Sequence, residues 1–511
     1  MPEPERPRQP ARPKNAIVIL LDSLNRHMLG AYGGREFDTP HLDAFARRAL
    51  RFEKHYSGSL PCIPARHDIL CGALDFLWKP WGSIEVWEDS LVAHLRRAGV
   101  TSMLISDHPH LFETGGENYH TDFTAWDYQR GGESDAWKTR SDPSATGAPE
   151  IAFAGREPYA RSRSYFRGEA EFPGPRTMAA TARWIDENAA QHDRFFLFVD
   201  EFDPHEPFDT PDPYATMYDG SWDGPRLIWP PYITQAFARG RLTPREAQQI
   251  RANYGGKLTM IDAWFGKVIA AIDRQGLWDD TAVIVCTDHG HYLGEKEIWG
   301  KPQSPVFEPL GHIPLMVAWP GIAAGAADAL TTNVDIFATL AELFGVTPEH
   351  RTHGRSLVPV IEGRAATVRE YALSGVWGRE VHLIDATTKY ARAPEDGNEP
   401  LSMWSNRWSS MPIGHANPEY RFPAPDDRAS LDRMPGSRVP VIRQPFRQGD
   451  LLPYWAYGRF SGNHLYNVAN DPTEDENRAG TSEEREAADR LRQALVAMEA
   501  PDDQLARLGL T

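Results

Sequence analysis

Residues Asn15–Asp22 read "NAIVILLD", six consecutive apolar side chains held between an asparagine and an aspartate. A strand with one face in water alternates apolar and polar residues, whereas an unbroken run suits a strand covered on both faces. The segment therefore predicts a central strand of a largely parallel sheet, ending at Asp22. Comparable runs follow in "TSMLIS" (101–106), "RFFLFVDEF" (194–202), "TAVIVCTDHG" (281–290) and "IPLMVAWPG" (313–321). Helical periods fall between them, the longest from Pro244 to Gln275, and "DTPHLDAFARRAL" opens another with Thr39 as N-cap and Pro40 at the first helical position. Strands alternating with helices predict an α/β fold, a large α/β sandwich around a mostly parallel mixed sheet.

Beyond "HGRSLVPVIEG" the pattern changes. "EYALSGVW", "EVHLIDATTKYARAP" and "HLYNVAND" are short alternating strands, and a helix is expected from about Glu483 to Met498. The expected organisation is a disordered tail over 1–14, a catalytic domain over 15–365, and a smaller C-terminal α+β domain over 366–511. The last carries a long insertion at about 395–452. That insertion and the stretch 131–175 resist assignment, and long irregular segments in a compact protein are usually functional loops or subunit contacts.

The net charge of −17 argues against a nucleic-acid surface, although a small anionic substrate fits a locally positive site. Three cysteines, at 62, 71 and 286, make no disulfide framework. The N-terminal "MPEPERPRQPARPKNA" has no apolar core of a signal peptide, and "AIVILL" is far too short to span a membrane, which together suggest a cytoplasmic protein.

Polar residues gather at the predicted strand ends: Asp22, Asp203 with His205, and Asp288 with His289. In open α/β sheets that edge is where ligands bind. The chemistry is sharpest in "LPCIPARHDILCG" (60–72). Cys62 stands where a helix should begin, facing the positive end of its dipole, and Arg66 lies one turn on, able to hydrogen-bond an oxygen at position 62. Cys71 and Cys286 sit in apolar contexts and read as inert thiols.

These residues resemble the sulfatase family: the formylglycine-dependent type I sulfatases and the related phosphonate monoester hydrolases of the alkaline phosphatase superfamily. "CIPAR" resembles the family's C-x-P-x-R signature. "NAIVILLDSLNRHMLGAYGG", "FFLFVDEFDPHEPF", "GLWDDTAVIVCTDHGHYLGEKEIWGK" and "HLYNVANDPTEDENRA" resemble further family segments in the expected order. The resemblance implies an alkaline phosphatase-like fold, and conversion of Cys62 to formylglycine (3-oxoalanine) by a formylglycine-generating enzyme. It also implies one divalent cation, Ca²⁺ or Mn²⁺, held by Asp22, Asp288, His289 and the group at position 62. His205 and Lys301 match the residues at the leaving-group oxygen, and His110 the histidine that triggers collapse of the covalent ester. His108 stands where the family has a lysine, and Ser23 where it often has a second acid.

The implied activity is hydrolysis of a sulfate ester, arylsulfatase-like, through a covalent intermediate on modified Cys62. The alternative is a phosphonate monoester hydrolase or phosphodiesterase using the same site, with which Ala65, Ser23 and "PHEPFDTPDPYATMYD" are compatible. A non-catalytic relative that binds an anion or a protein partner would show a lost ligand. His291 and His312 fall close enough to the motifs to touch substrate, whereas His41, His55 and His353 read as structural. Trp404, Trp408 and Tyr420 suit either a pocket for an aryl or sugar group or the interface of a homo-oligomer.

Overall fold

The structure, a computed structural model, describes residues 12–145, 157–411, 424–458 and 462–511. Most of the expected tail and Tyr420 lie outside the described residues. The backbone N–H of Lys14 already donates to the Asp280 carbonyl at 2.8 Å, one residue before the first strand.

Asn15–Leu21 is the expected central strand. It lies between Phe195–Glu201 and Thr281–Cys286, parallel to both. Among the described residues the sheet has eight strands, in the spatial order Gly325–Thr332, Leu50–Tyr56, Leu315–Ala318, Thr281–Cys286, Asn15–Leu21, Phe195–Glu201, Thr101–Ser106 and Ala125–Tyr128. Leu315–Ala318 runs antiparallel to both neighbours, and every other pairing is parallel. Both faces of the central strand are dry. Ile17, Ile19 and Leu21 pack into one core with the helices Pro173–Asn188 and Pro244–Arg274. Ala16, Val18 and Leu20 pack into the other with Cys62–Cys71, Leu91–Arg97 and Asn333–Phe344. Truncating one of the larger of these, such as Ile19 or Leu20, to alanine costs about 2–5 kcal/mol.

Two edge strands carry little sequence signal. "GAADALTT" is short-chained, and Ala125 and Trp126 are exposed, so neither shows the run or the alternation that marks a buried strand. Thr39 does precede the helix Pro40–Ala46, but its hydroxyl makes no capping bond to the helix backbone; it accepts instead from the Gly30 N–H at 3.3 Å.

The C-terminal region holds a four-stranded antiparallel sheet (Ala372–Gly375, Val381–Ile384, Thr388–Arg392, His464–Asn467) and the helix Ser482–Ala497. The described part of the 395–452 insertion is no free loop. It forms an antiparallel sheet of Leu401–Ser405, Pro440–Phe446 and Ser430–Arg433. Trp404 is a core residue there rather than a pocket wall: it is 3% exposed, meets Trp78 edge-on at 5.1 Å, and donates to Asp432 at 2.8 Å. This region closes over residues 74–87 of the larger sandwich. Among the described residues no helix is long and apolar enough to cross a membrane.

Candidate active site

Because the central strands are parallel, their C-terminal ends share one edge. The register sets Leu20 beside Cys286 and Leu21 beside Glu201, so Asp22, Asp200 and Asp288 converge. The helix Cys62–Cys71 delivers its first residue to the same place, and all ten of its side chains are buried. Asp22, Cys62, Asp288 and His289 each offer one ligand atom, all within 4.8 Å of one another.

Arg66, one turn after Cys62, organises the carboxylates. It gives Nε and Nη2 to Asp200 at 2.8 and 2.6 Å, Nη2 to Asp22 at 2.9 Å and Nη1 to Asp288 at 2.7 Å. Nη1 also reaches the Cys62 carbonyl at 3.1 Å, so the expected contact with position 62 is made to the backbone. Asp200 was not singled out from sequence. Its signal is an acid inside "FFLFVDEF", since a buried carboxylate needs a cationic partner elsewhere in the chain. Three buried carboxylates face one guanidinium and the ammonium of Lys301, leaving surplus negative charge. Burial and the neighbouring Asp288 push the Asp22 carboxyl well up. Burial works the same way on Asp288, but His289 and Arg66 hold it well below the usual carboxylate range.

His289 has the preparation of a ligand. Its Nδ1 faces the Gly290 carbonyl at 2.8 Å, which leaves the Nε2 lone pair for Cys62 Sγ at 3.2 Å and Asp288 at 3.3 Å. Burial holds the ring neutral, with its pKa lowered to about 4. Two carboxylates, a neutral imidazole nitrogen and the group at position 62 fit a divalent cation in both donor type and charge. Sγ of Cys62 marks where the oxygens of a formylglycine side chain would lie.

On the other side of Cys62 stands Lys301, with Nζ 3.8 Å from Sγ. Nζ also lies 2.7 Å from His205 Nε2 and 3.3 Å from the Ser23 hydroxyl. Nδ1 of His205 meets the Glu206 carbonyl at 2.7 Å, so Nδ1 carries the hydrogen and Nε2 accepts from the ammonium. Burial pushes His205 well below the ordinary imidazole value, while Cys62, Glu206 and the aspartates, outweighing burial, hold Lys301 protonated. Ser23 donates to Asp22 Oδ1 at 2.8 Å, so the hydroxyl that replaces an acid links Lys301 to the carboxylates.

The two histidines of "SDHPHLF" differ. The buried ring of His108 makes no hydrogen bond among the described residues, and its Nε2 lies 3.6 Å from Asp22. Burial and Arg66 push it well below its ordinary value. His110 is engaged at both nitrogens at the edge of this cluster: Nδ1 meets Glu113 and Nε2 meets Glu133 at 3.2 Å. Asp203 also turns aside, pairing with Lys257 at 2.6 Å beside Asp107 and Glu201. His291 lies 3.9 Å from Glu206, near the site. His312 does not reach it, being held by Glu308 and the Glu53 carbonyl, each at 2.7 Å. His55 is fixed between Thr331 and Asn333, and His353 between the Leu74 N–H and the Met498 carbonyl. Cys286 is buried in its strand, whereas Cys71 has polar company in His67 and Glu88.

The fold and this edge define an ester hydrolase of the alkaline phosphatase superfamily. The model of the sulfatase family matches residues 14–346, and the chain belongs to that family. It is similar to a choline-sulfatase of Rhizobium meliloti, 29% identical over 449 residues that cover 82% of this chain and 84% of the relative. A multifunctional alkaline phosphatase superfamily protein, PehA, of Trinickia caryophylli is 25% identical over 438 residues, covering 70% and 79%. In fold it resembles a phosphonate monoester hydrolase of Agrobacterium radiobacter, with a TM-score of 0.65 at 20% identity and 96% of each chain covered.

Proposed function

We propose that the protein hydrolyses sulfate monoesters at position 62, after a formylglycine-generating enzyme has converted Cys62 to formylglycine. The observation that carries this reading is Cys62 itself, set between ligand atoms of Asp22, Asp288 and His289 that could hold a cation and the Lys301–His205 pair. With the aldehyde formed and a divalent cation bound, they would supply a nucleophilic hydroxyl of lowered pKa and neutralise charge on the sulfate oxygens.

The chain's own residues do the rest. Arg66 orients the three aspartates through its hydrogen bonds to each. Lys301 holds the proton nearest Sγ and is positioned by its hydrogen bond to His205 Nε2, so Lys301 fits proton delivery to the leaving oxygen. Release of sulfate requires a proton acceptor, and the neutral ring of His108, not engaged in any hydrogen bond, fits that task.

Hydrolysis of phosphonate monoesters by the same groups is the second reading, favoured by Ser23. A hydroxyl instead of an acid beside Asp22 lowers the carboxylate count around the cation. The test compares kcat/KM for an aryl sulfate and an aryl phosphonate monoester that share one leaving group. The enzyme is co-produced with a formylglycine-generating partner, and Cys62→Ala serves as control. A sulfate preference that the control abolishes supports the first reading, and a phosphonate preference replaces it with the second. Activity unchanged in Cys62→Ala would sink both.

A further inference from the structure

The loop 130–135 lies largely in the stretch where sequence shows no chemistry, yet it delivers a carboxylate to the catalytic edge. Its backbone is strained: Gly131 has φ +108° and Glu133 φ +30°, a region costly for a residue with a side chain. Asp135 locks the turn, accepting from the Gly131 N–H at 2.6 Å and from Nε and Nη2 of Arg130 at 2.8 and 2.7 Å. Glu133 is thereby held, buried, 3.2 Å from Nε2 of His110, while Glu113 meets Nδ1 of the same ring. An imidazole serves a carboxylate at each nitrogen only when both nitrogens carry hydrogen.

We propose that Glu133 is a positioning residue which, with Glu113, keeps His110 as a fixed imidazolium at the edge of the catalytic cluster rather than as a proton acceptor. Its effect on turnover rests on the hydrolase reading above. The groups facing His110 are Glu113 and His108 from its own turn and Glu133 from the loop. Trp81, at 5.2 Å between ring centroids, and Phe202, at 6.5 Å, add uncharged walls, and His205 stacks behind Phe202. Burial lowers the pKa of His110, but Glu133 and Glu113 outweigh it and raise the value to about 10. A cation fixed in a dry site attracts the oxygens of an anionic ester without reorganising during reaction.

The test uses the full chain with ¹³C-labelled histidine, the His110 resonance being assigned by its loss in His110→Asn. Ring titrations are recorded for wild type, Glu133→Gln and Glu113→Gln, beside the pH profile of kcat/KM with an aryl sulfate. His110 should titrate near 10 in the wild type. In Glu133→Gln the titration should fall by about one unit or more, the alkaline limb of kcat/KM should fall with it, and Glu133→Asp should restore both. A wild-type titration near the ordinary 6.5 overturns the proposal. So does a Glu133→Gln variant whose resonance shifts while kcat/KM and its alkaline limb stay in place. Because the resonance is read without substrate, loss of the sulfatase reading would leave that half of the test standing.

Discussion

The helix Cys62–Cys71 carries two buried polar clusters of similar make-up and opposite use. At its start Cys62 and Arg66, four residues apart, meet Asp22, Asp200, Asp288, His289 and Lys301. At its end His67 and Cys71, also four apart, meet Glu88, Asp75 and Lys79. Residue types and helical spacing are nearly the same. The second cluster is closed upon itself: His67 reaches Glu88 at 2.8 Å and Asp75 at 3.3 Å, while Lys79 reaches the same two acids, Glu85 at 3.8 Å and the Ser83 carbonyl. It ties the helix to the 74–87 segment on which the C-terminal sheets pack. The first lies at the edge where parallel strands end and sets its cysteine beside Lys301 as well as the Asp22 and Asp288 carboxylates, whereas Cys71 lies beside His67 and Glu88. Spacing brings such residues together, and their place at the strand ends or beneath the C-terminal sheets separates a candidate site from a strut.

The strongest challenge to this contrast compares the two cysteines. Cys62→Ala should lower kcat/KM by about 10⁴-fold or more, as loss of a nucleophile does. Cys71→Ala should leave kcat/KM within about twofold and cost about 1 kcal/mol in urea unfolding. Equal losses of activity would erase the distinction.

Metal removal comes next. Chelation should lower activity by about 10²-fold or more, with recovery on adding Ca²⁺ or Mn²⁺, and Asp288→Asn should weaken that recovery. Glu88→Gln should leave recovery intact while destabilising the fold by about 3 kcal/mol, because His67 and Lys79 lose a buried counter-charge. A smaller effect is expected for Asp200→Asn: kcat reduced about 10- to 100-fold with KM little changed, since it orients Arg66 and stands behind the ligands.

The smallest effect is on pH dependence. Burial works against His67, yet Asp75 and Glu88 hold its pKa well above the ordinary 6.5. A raised pKa contributes stability that is complete below 6.5 and is lost as pH rises toward the folded value. Unfolding free energy should therefore fall above pH 6.5, and His67→Gln should make that slope shallower by up to about 1.4 kcal/mol per pH unit. Urea titrations between pH 6 and 9 check it, and an unchanged slope would remove His67 from the ionic network.

The central strand, the helix that opens at Cys62 and the convergence of the strand-end residues were legible because each leaves a local mark. An apolar run signals a two-faced strand, an acid at its end signals the ligand-binding edge, and "CIPAR" sets a thiol and a guanidinium one turn apart. Glu133, Asp200 and the state of His110 left no such mark. Glu133 reaches the site through a strained turn, Asp200 sits within a strand that reads as ordinary core, and His110 is defined by acids on either side of the loop. Trp404 misleads for the same reason: an aromatic residue in an irregular stretch gives no hint that Trp78 awaits it.

The α/β alternation, the strand-end residues and the place of Cys62 at the start of a helix follow from periodicity and short-range spacing alone. Only the tertiary structure decided which acids face Arg66, which histidine is neutral and which is clamped, and which of two similar clusters is open to chemistry. Burial and long-range charge pairing set those outcomes, and both depend on residues far apart in the chain.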